Sequence, residues 1–321
     1  MLTDTVDRPI LFFGGKGGVG KTTMASVAAL ELAGKGRKTL LVSTDPAHST
    51  SDILQYELGP RPRPVIADCW AMELDPETEA DAYVEGVKAR IAEAAPPRLL
   101  AEVERQVDIA RVSPGAVEAA LFDRFTRILE EEGRDFDRIV FDTAPTGQTL
   151  RLLSLPELMT AWMSGLIQRR KKVGALAKMW RNVAGSEASA AQADDPILGA
   201  LEDRRGRFHR ARQALTDPKR SAFVFVVTPE RLPIWETENA TRALSKHGIP
   251  VGAIIVNQIL PEASPDEAEA GFLAGRRARQ GEYLARIRES LGDWPLLGVR
   301  LQETDPVGVD ALKLVRTEVL A

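Results

Sequence analysis

The chain has 321 residues and a formal net charge of -4, with 42 Lys and Arg residues against 46 Asp and Glu residues. Since nucleic-acid binders usually carry a basic balance, this charge argues against general nucleic-acid binding. Its single cysteine, Cys69, excludes an intrachain disulfide and any zinc site that needs two cysteines from one chain. A chain with one cysteine fits a reducing compartment, so we predict a cytoplasmic protein.

The N-terminus has acidic residues ahead of a short apolar run, which is not the layout of a secretion signal. No apolar run approaches the roughly 18 to 20 residues that a bilayer span requires. We therefore expect no transmembrane segment, and expect any membrane role to be peripheral, through a partner.

Strand-like and helix-like patterns alternate along much of the chain. Short β-branched or aromatic runs predict buried strands at 9–13, 38–42, 137–142, 222–227 and 251–256. Helical patterns fall at 21–34, 115–132, 233–247 and 266–291. This alternation predicts an α/β fold with a mostly parallel, doubly wound sheet.

Two regions contain helical patterns with no strand between them, at about 77–132 and 156–218. We interpret them as one inserted α-helical subdomain. The remaining segments, 1–76, 133–155 and 219–321, are then the core domain.

A phosphate-binding motif follows the first predicted strand. The chain reads GGKGGVGKTT from Gly14 to Thr23 and satisfies G-x-x-x-x-G-K-[ST] between a strand and a helix. Lys21 is expected to reach the β and γ phosphates, and Thr22 to bind Mg²⁺. The other predicted nucleotide-binding residues of the loop are Gly15, Gly17, Gly18, Val19, Gly20 and Thr23. A glycine-rich turn that merely begins a helix would not need the Lys-Thr pair, so the sequence predicts a P-loop NTPase that binds ATP.

The first lysine of this loop, Lys16, occupies a variable position of the pattern. On its own it would be an ordinary surface residue. However, K-G-G-x-G-K-T-T resembles the deviant Walker A group of dimeric ATPases, in which this lysine reaches the partner's nucleotide. That resemblance implies a catalytic cation supplied across a homodimer.

Two acidic residues follow predicted strands. Asp45 comes after the strand at 38–42, and Asp142 ends the strand at 137–142. Ligands lie at the carboxyl ends of strands in open parallel sheets, so both residues are expected to face the phosphates. Asp142 is predicted to hold Mg²⁺ and Asp45 to orient or deprotonate the attacking water. The alternative is that each aspartate caps the next helix.

Five motifs, taken together, resemble the ArsA family of ATPases across nearly the whole chain. They are KGGVGKTT, STDPAHS, MELDP at Met72 to Pro76, DTAPTGQTLRLLSLPE at Asp142 to Glu157, and IIVNQ at Ile254 to Gln258. The family includes the arsenite-pump ATPase and the guided-entry ATPase that targets tail-anchored membrane proteins. The resemblance implies that Asn257 recognises adenine and that Pro306 to Leu312 help close the base pocket. The alternative reading of Asn257 is a strand-end turn residue.

The sequence departs from the family pattern at three points, and these departures limit which family properties the resemblance implies for this chain. Gln148 stands where guided-entry members usually have histidine. Ala270 and Leu273 replace the C-x-x-C that holds zinc across the dimer, so dimerisation must rely on apolar packing and nucleotide. Cys69 alone cannot supply the thiolates that As(III) needs, and is better read as a buried residue of a core strand.

Apolar stripes in the helical regions suggest a client site. One comprises Leu158, Met159, Trp162, Met163, Leu166 and Ile167, and another comprises Leu99, Leu100, Val103, Val107 and Ala110. Matching regions of the targeting ATPases form a methionine-bearing groove for a client's transmembrane helix, although such stripes are usually core. The basic run from Arg169 to Arg181 could meet anionic lipid or an acidic partner protein, but a solvated helix face explains it better.

The sequence thus predicts a Mg·ATP-dependent homodimeric ATPase that works as a nucleotide-gated chaperone or targeting factor for hydrophobic membrane-protein helices. Expected partners are a second copy, a hydrophobic-helix client, and a membrane receptor or pump subunit. The alternative is a soluble motor ATPase that energises an arsenite or anion efflux pump. A positioning switch like the cell-division-site ATPases is a third possibility.

Overall fold

The computed structural model describes residues 2–45, 49–94, 116–143, 168, 196–262 and 272–320. The chain divides into two compact units. The first consists of Met1–Asp75, Glu130–Arg151 and Ala214–Ala321, and the second of Pro76–Leu129 and Leu152–Gln213.

The first unit is built on a nine-stranded sheet. Its strands are β1 (Ile10–Gly14), β2 (Thr39–Ser43), β3 (Arg63–Ile66), β4 (Cys69–Glu73), β5 (Arg138–Asp142), β6 (Ser221–Val227), β7 (Val251–Ile259), β8 (Leu296–Arg300) and β9 (Glu318–Val319). The described helices in this part of the chain are α1 (Leu2–Thr5), α2 (Lys21–Gly34), α3 (Ser49–Leu54), α7 (Arg231–Lys246), α8 (Phe272–Leu291) and α9 (Val309–Leu314).

The strand order is β3-β4-β2-β5-β1-β6-β7-β8-β9. Only the two edge pairs, β3 with β4 and β8 with β9, are antiparallel. Strand β1 therefore lies in the middle of a parallel sheet, between β5 and β6. The loops that leave β1, β2 and β5 open at the same edge, where ligands of open α/β sheets lie.

Aromatic side chains fix the central strands on one face of the sheet. The Phe12 ring stacks on Phe141 of β5 at 5.0 Å and on Phe223 of β6 at 5.9 Å between ring centroids. Cross-strand aromatic pairs of this kind each contribute about 0.5 to 1 kcal/mol. On the other face, Phe13 packs in the main apolar cluster with α2. The strand that precedes the glycine-rich loop is thus held from both sides.

Helix α2 is buried around most of its circumference, and its buried residues include Met24, Ala25, Val27, Ala28, Leu30 and Leu32. It packs on β1, β2 and β5, and also on α1, α3 and α9. A helix that is apolar on most sides belongs inside a domain. The small alanines let the central helix approach the sheet closely, which fixes the position of its first turn.

The second unit is described through α4 (Pro76–Ala94), α5 (Ala116–Glu131) and α6 (Pro196–Thr216). Phe122 of α5 and Phe208 of α6 meet edge to face at 5.0 Å, and Ala211, Phe125 and Leu129 complete this small cluster. Beside it lies a buried carboxylate, Asp123. It accepts a hydrogen bond from Arg204 at 2.9 Å and pairs with Arg127 at 2.7 Å.

The predicted α/β class and the five predicted strands are confirmed, with ends that differ by up to three residues. Strand β4 was expected only as the core strand that holds Cys69, without bounds, and strands β3, β8 and β9 were not predicted. Strand β3 contains a proline and β9 is only two residues long. Helix α8 is described from Phe272 to Leu291, and the predicted helical residues 266–271 lie outside the described residues. Among the described residues, no helix has both the length and the apolar character needed to cross a membrane.

Candidate active site

The glycine-rich loop joins β1 to α2 at the centre of the sheet. Gly20 is the residue before the helix and has a left-handed φ of 92°. No side chain of the described residues caps α2 at this end. Because the first N–H groups of a helix have no partner within it, they can bind an anion. A side chain at Gly15 would collide with the Val226 carbonyl, so the start of the loop also requires glycine.

Lys21 and Asp45, both predicted as catalytic residues, lie together. The Lys21 Nζ is 3.9 Å from Asp45 Oδ2, and both side chains are largely buried. The same Nζ donates a hydrogen bond of 3.3 Å to the Lys16 carbonyl oxygen. The loop therefore folds back over the lysine that follows it, while the Lys16 residue itself is half-buried.

Asp142 ends β5 and is fully buried. Neither of its carboxylate oxygens has a hydrogen bond of good geometry among the described groups. Burial raises the pKa of Asp142 to about 7, and the nearby Thr22 and Thr50 hydroxyls and Lys21 offset this rise only in part. A buried carboxylate without hydrogen-bond donors is costly unless a cation pairs with it, so its surroundings fit a metal ion.

Strand register brings the site residues together. Asp142 is the partner of Phe13 on one side and of Ser43 on the other. The Thr44 N–H donates to the Asp142 carbonyl at 2.9 Å, and the Thr143 hydroxyl donates to the Phe13 carbonyl at 2.7 Å. These backbone contacts continue the sheet beyond its strands and fix the carboxyl ends of β1, β2 and β5 relative to one another.

Two residues near the site, Ser49 and Glu73, were quoted in the sequence motifs, but no function was assigned to them. The hydroxyls of Ser49 and Thr22 lie 3.0 Å apart. The Glu73 carboxylate accepts hydrogen bonds from the N–H groups of Thr50 at 2.9 Å and Ser51 at 3.0 Å, and thereby holds the start of α3 beside the loop. The MELDP motif at the end of a strand was the signal that could have identified Glu73.

A cavity of about 100 Å³ lies beside the glycine-rich loop. It is lined by Gly20, Thr23, Met24, Asn257, Gln258, Val299, Arg300, Leu301, Gln302, Thr304, Asp305, Pro306 and Val315. Since whole-ligand pockets usually hold about 300 Å³ or more, this cavity suits one ring system of a larger ligand. Asn257 and Pro306, both predicted near the base, line it. In contrast, Leu312 is buried in the main apolar cluster.

A larger groove of about 820 Å³ opens along α8. Phe272 and Leu273 are 76% and 48% exposed at its edge. Arg276 lies over the Phe272 ring at 5.6 Å, and Tyr283 also lines the groove. An exposed apolar edge with adjoining cations is typical of a surface that contacts another protein.

Several predicted features lie outside the described residues. They are Gln148 and the rest of the DTAPTGQTLRLLSLPE motif after Thr143, Ala270, the basic run and both apolar stripes. Cys69 is buried in β4, so the prediction of a buried residue in a core strand is confirmed, and burial raises the pKa of its thiol to about 12. Within the described ranges, no group of three or more His, Cys, Asp or Glu residues could hold a metal ion.

Comparison with known proteins connects this geometry to a family. The family model for anion-transporting ATPases, ArsA_ATPase, matches residues 8–320. The chain is 32% identical over 306 residues to ATPase ASNA1 homolog 1 of Paramecium tetraurelia, which covers 94% of this chain and 89% of that protein. It is 33% identical over 307 residues to ATPase GET3A of Arabidopsis thaliana, covering 94% and 81%.

A relative with a different name is equally similar. The Arsenical pump-driving ATPase of Acidiphilium multivorum is 35% identical over 310 residues, which covers 95% of this chain and 48% of that protein. The present chain thus spans about half of this relative.

Proposed function

Because the chain belongs to the ArsA family of ATPases, we propose that it binds and hydrolyses ATP at the loop from Gly15 to Thr23. The observation that supports this site best is the meeting of Lys21, Asp45 and Asp142 at the carboxyl ends of the central strands. In this arrangement, backbone N–H groups and the Lys21 ammonium bind phosphate oxygens. Asn257 and the neighbouring cavity receive the adenine.

Thr22 and Asp142 are the residues that would hold Mg²⁺. The Thr22 hydroxyl lies near the buried Asp142 carboxylate, whose oxygens lack well-formed hydrogen bonds within the described structure. A hydroxyl and one carboxylate suit Mg²⁺, which keeps several waters and needs few protein ligands. The ion supplies positive charge that offsets the charge of the transferred phosphoryl group.

Asp45 is the proposed acceptor for the proton of the attacking water. It is largely buried beside Lys21 at the edge where the phosphates would lie. General-base catalysis by a positioned carboxylate contributes roughly 10² to 10⁴ in rate. Lys16 is proposed to reach the nucleotide of a second copy, where its cation would act as an arginine finger does.

The second copy is expected at the groove along α8. The first turn of this helix exposes Phe272 and Leu273, the latter at a position where zinc-binding relatives carry cysteine. Apolar contact there would replace a shared zinc. Since each chain has one P-loop, a composite site with Lys16 requires two copies related by symmetry.

We further propose that this cytoplasmic ATPase shields or targets hydrophobic helices of membrane proteins. The segments 77–132 and 156–218 would form the client-binding subdomain, with a methionine-bearing stripe around Met163. Support comes from relatives named ASNA1 homolog and GET3A and from the stripe itself. A nucleotide-gated groove would need flexible apolar side chains, and methionine supplies them.

The test has two stages. First, purified protein with Mg·ATP should release phosphate, and Lys21→Ala should abolish this release. Second, Mg·ATP should promote binding of a fluorescent transmembrane-helix peptide, and Met163→Asp should weaken that binding without lowering basal phosphate release. Peptide binding that is equal in wild type and Met163→Asp contradicts the targeting role.

The pump-motor alternative rests on the name of the Acidiphilium relative. It predicts that arsenite or antimonite stimulates phosphate release. The single buried cysteine counts against a thiolate site for the metalloid in one chain. Stimulation at micromolar arsenite would favour this function over targeting.

A further inference from the structure

Strand β7 is irregular at its carboxyl end. Its pairing with β8 shifts register between Val256 and Ile259. Gln258, inside this segment, has a left-handed φ of 58°. Few residues other than glycine adopt this conformation, and they do so where the surrounding structure enforces it. The residue immediately before this bend is Asn257.

Asn257 contacts the glycine-rich loop directly. Its Nδ2 donates a hydrogen bond of 2.9 Å to the Val19 carbonyl oxygen. Val19 is almost completely buried and Asn257 is only 9% exposed. Buried carbonyl groups need a hydrogen-bond partner, so this contact fixes the path of the loop one residue before Gly20.

The next residue of the loop, Gly20, packs closely against the Asn257 side chain. A Cβ atom at Gly20 would collide with Asn257 Nδ2. Gly20 also has a φ of 92°, which residues with a side chain rarely adopt. Asn257 therefore packs on the loop at two consecutive positions, by a hydrogen bond to Val19 and by close contact with Gly20.

The same asparagine lines the cavity beside the loop, together with Thr23 and Thr304. Asn257 therefore both lines the cavity and contacts the phosphate loop. We propose that Asn257 is a positioning residue that holds the phosphate loop in its binding conformation, so that phosphate affinity depends on it even when no base is present.

This inference rests on the proposed nucleotide site and goes further. A residue that only reads the base would affect adenosine binding and leave the affinity for a bare triphosphate unchanged. A residue that holds the loop affects both affinities. Inorganic tripolyphosphate, which has no base, separates these two roles.

The experiment measures binding of Mg²⁺-tripolyphosphate and Mg·ATP to the full chain by isothermal titration calorimetry. Asn257→Ala and Asn257→Leu both remove the donor to Val19, and Leu also keeps the branched shape and heavy-atom count of the side chain. Thr304→Trp is the matched control, because Thr304 is exposed and lines the cavity without a hydrogen bond to Val19. Thermal melts without ligand verify that each variant is folded.

We expect both Asn257 variants to bind tripolyphosphate roughly 5- to 30-fold more weakly, the factor that corresponds to losing one buried hydrogen bond. Thr304→Trp should weaken ATP binding and leave tripolyphosphate binding within twofold of wild type. The inference is overturned if folded Asn257→Leu binds tripolyphosphate as wild type does, or if wild type binds ATP but not tripolyphosphate. A wild-type chain that binds neither ligand contradicts the proposed nucleotide site itself.

Discussion

The Lys21 ammonium lies 3.9 Å from a carboxylate oxygen of Asp45, at the edge of the sheet where β1, β2 and β5 end. Both side chains are largely buried, so their charges act on each other and on any nearby phosphate with little screening. The lysine attracts a triphosphate, whereas the aspartate repels it. Substituting the two residues should therefore have opposite effects on binding.

Lys21→Ala should abolish detectable ATP binding and turnover, because the main cation of the loop is lost. Asp45→Asn should bind ATP as tightly as wild type or more tightly, but its kcat should fall by about 100-fold or more, since the general base is gone. Fluorescent-nucleotide titration gives Kd and phosphate release gives kcat. Asp52→Asn on α3, at an exposed position, is the control. An unchanged kcat in Asp45→Asn would exclude the catalytic role of Asp45.

Asp142→Asn should stabilise the ligand-free protein at neutral pH and above. The pKa of this carboxyl rises from 3.8 to about 7 on folding, mainly through burial. The folded state therefore holds its proton more tightly than the unfolded state, and wild-type stability falls as pH rises from about 4 to 7. The total loss is on the order of 4 kcal/mol and levels off above pH 7.

The measurement is the melting temperature of wild type and Asp142→Asn between pH 5 and 8.5. The difference should widen up to about pH 7 and then stay constant. The variant should also lose Mg²⁺-dependent turnover, because the amide cannot pair with the ion. A difference in melting temperature that is the same at every pH between 5 and 8.5 would show that Asp142 does not titrate in this range.

The sequence predicted the phosphate loop and the acids because their chemistry demands particular residues at fixed spacings. The Gly-Lys-Thr sequence must stand at a fixed offset from the first glycine of the loop. An aspartate at the carboxyl end of a parallel strand lies at the edge of the sheet where ligands bind. The contact of Asn257 with Val19 was not predicted, because it joins residues 238 apart through a strand irregularity that leaves no local pattern. Glu73 was missed although the MELDP motif could have identified it, because its hydrogen bonds to Thr50 and Ser51 join residues of two different elements, 23 and 22 positions apart.

Local sequence patterns also gave little indication of the strands at the two edges of the sheet. Strand β9 has two residues, both exposed, so no apolar alternation marks it. Strand β3 carries Pro64, which the strand tolerates because it lies at the edge of the sheet. Strand β3 forms by antiparallel pairing with β4 across a short turn, and β9 forms by antiparallel pairing with β8, so local propensity alone does not reveal either strand.

Phe272→Asp should weaken nucleotide-dependent dimerisation. The Phe272 ring is 76% exposed beside Leu273 and the groove along α8, and a carboxylate there would be desolvated on association. Leu314→Asp is the matched control, because this leucine is 70% exposed on α9 and does not line that groove. Light scattering with Mg²⁺ and a non-hydrolysable ATP analogue should show a dimer for wild type and the control.

The specific activity of wild type and Leu314→Asp should exceed that of Phe272→Asp at the same protein concentration. If Lys16 acts across the dimer, wild-type kcat rises with protein concentration until dimerisation is complete. The Phe272→Asp curve should shift to concentrations at least tenfold higher. Activity that is independent of concentration, in a protein that stays monomeric with nucleotide, would exclude the composite site.

Asp123→Asn should destabilise the helical unit. Asp123 of α5 is almost fully buried and lies within 2.7 to 3.3 Å of Arg127, Arg204 and Arg207. Burial alone would raise its pKa, but these cations hold the pKa below the usual range. The neutral amide would leave cations in the unit without their carboxylate. Breaking a buried pair in this way typically costs about 3 to 5 kcal/mol.

Asp203→Asn on α6 removes the same charge at an exposed position and should change stability little. Since the folded pKa of Asp123 is depressed, its contribution is present above the unfolded value near 3.8 and is lost as the pH falls through the folded value. Chemical denaturation at pH 7 should therefore separate wild type from Asp123→Asn. At pH low enough to protonate Asp123 in both states, the difference should shrink. A difference that persists unchanged in acid would mean that packing, and not the charge of Asp123, holds these helices together.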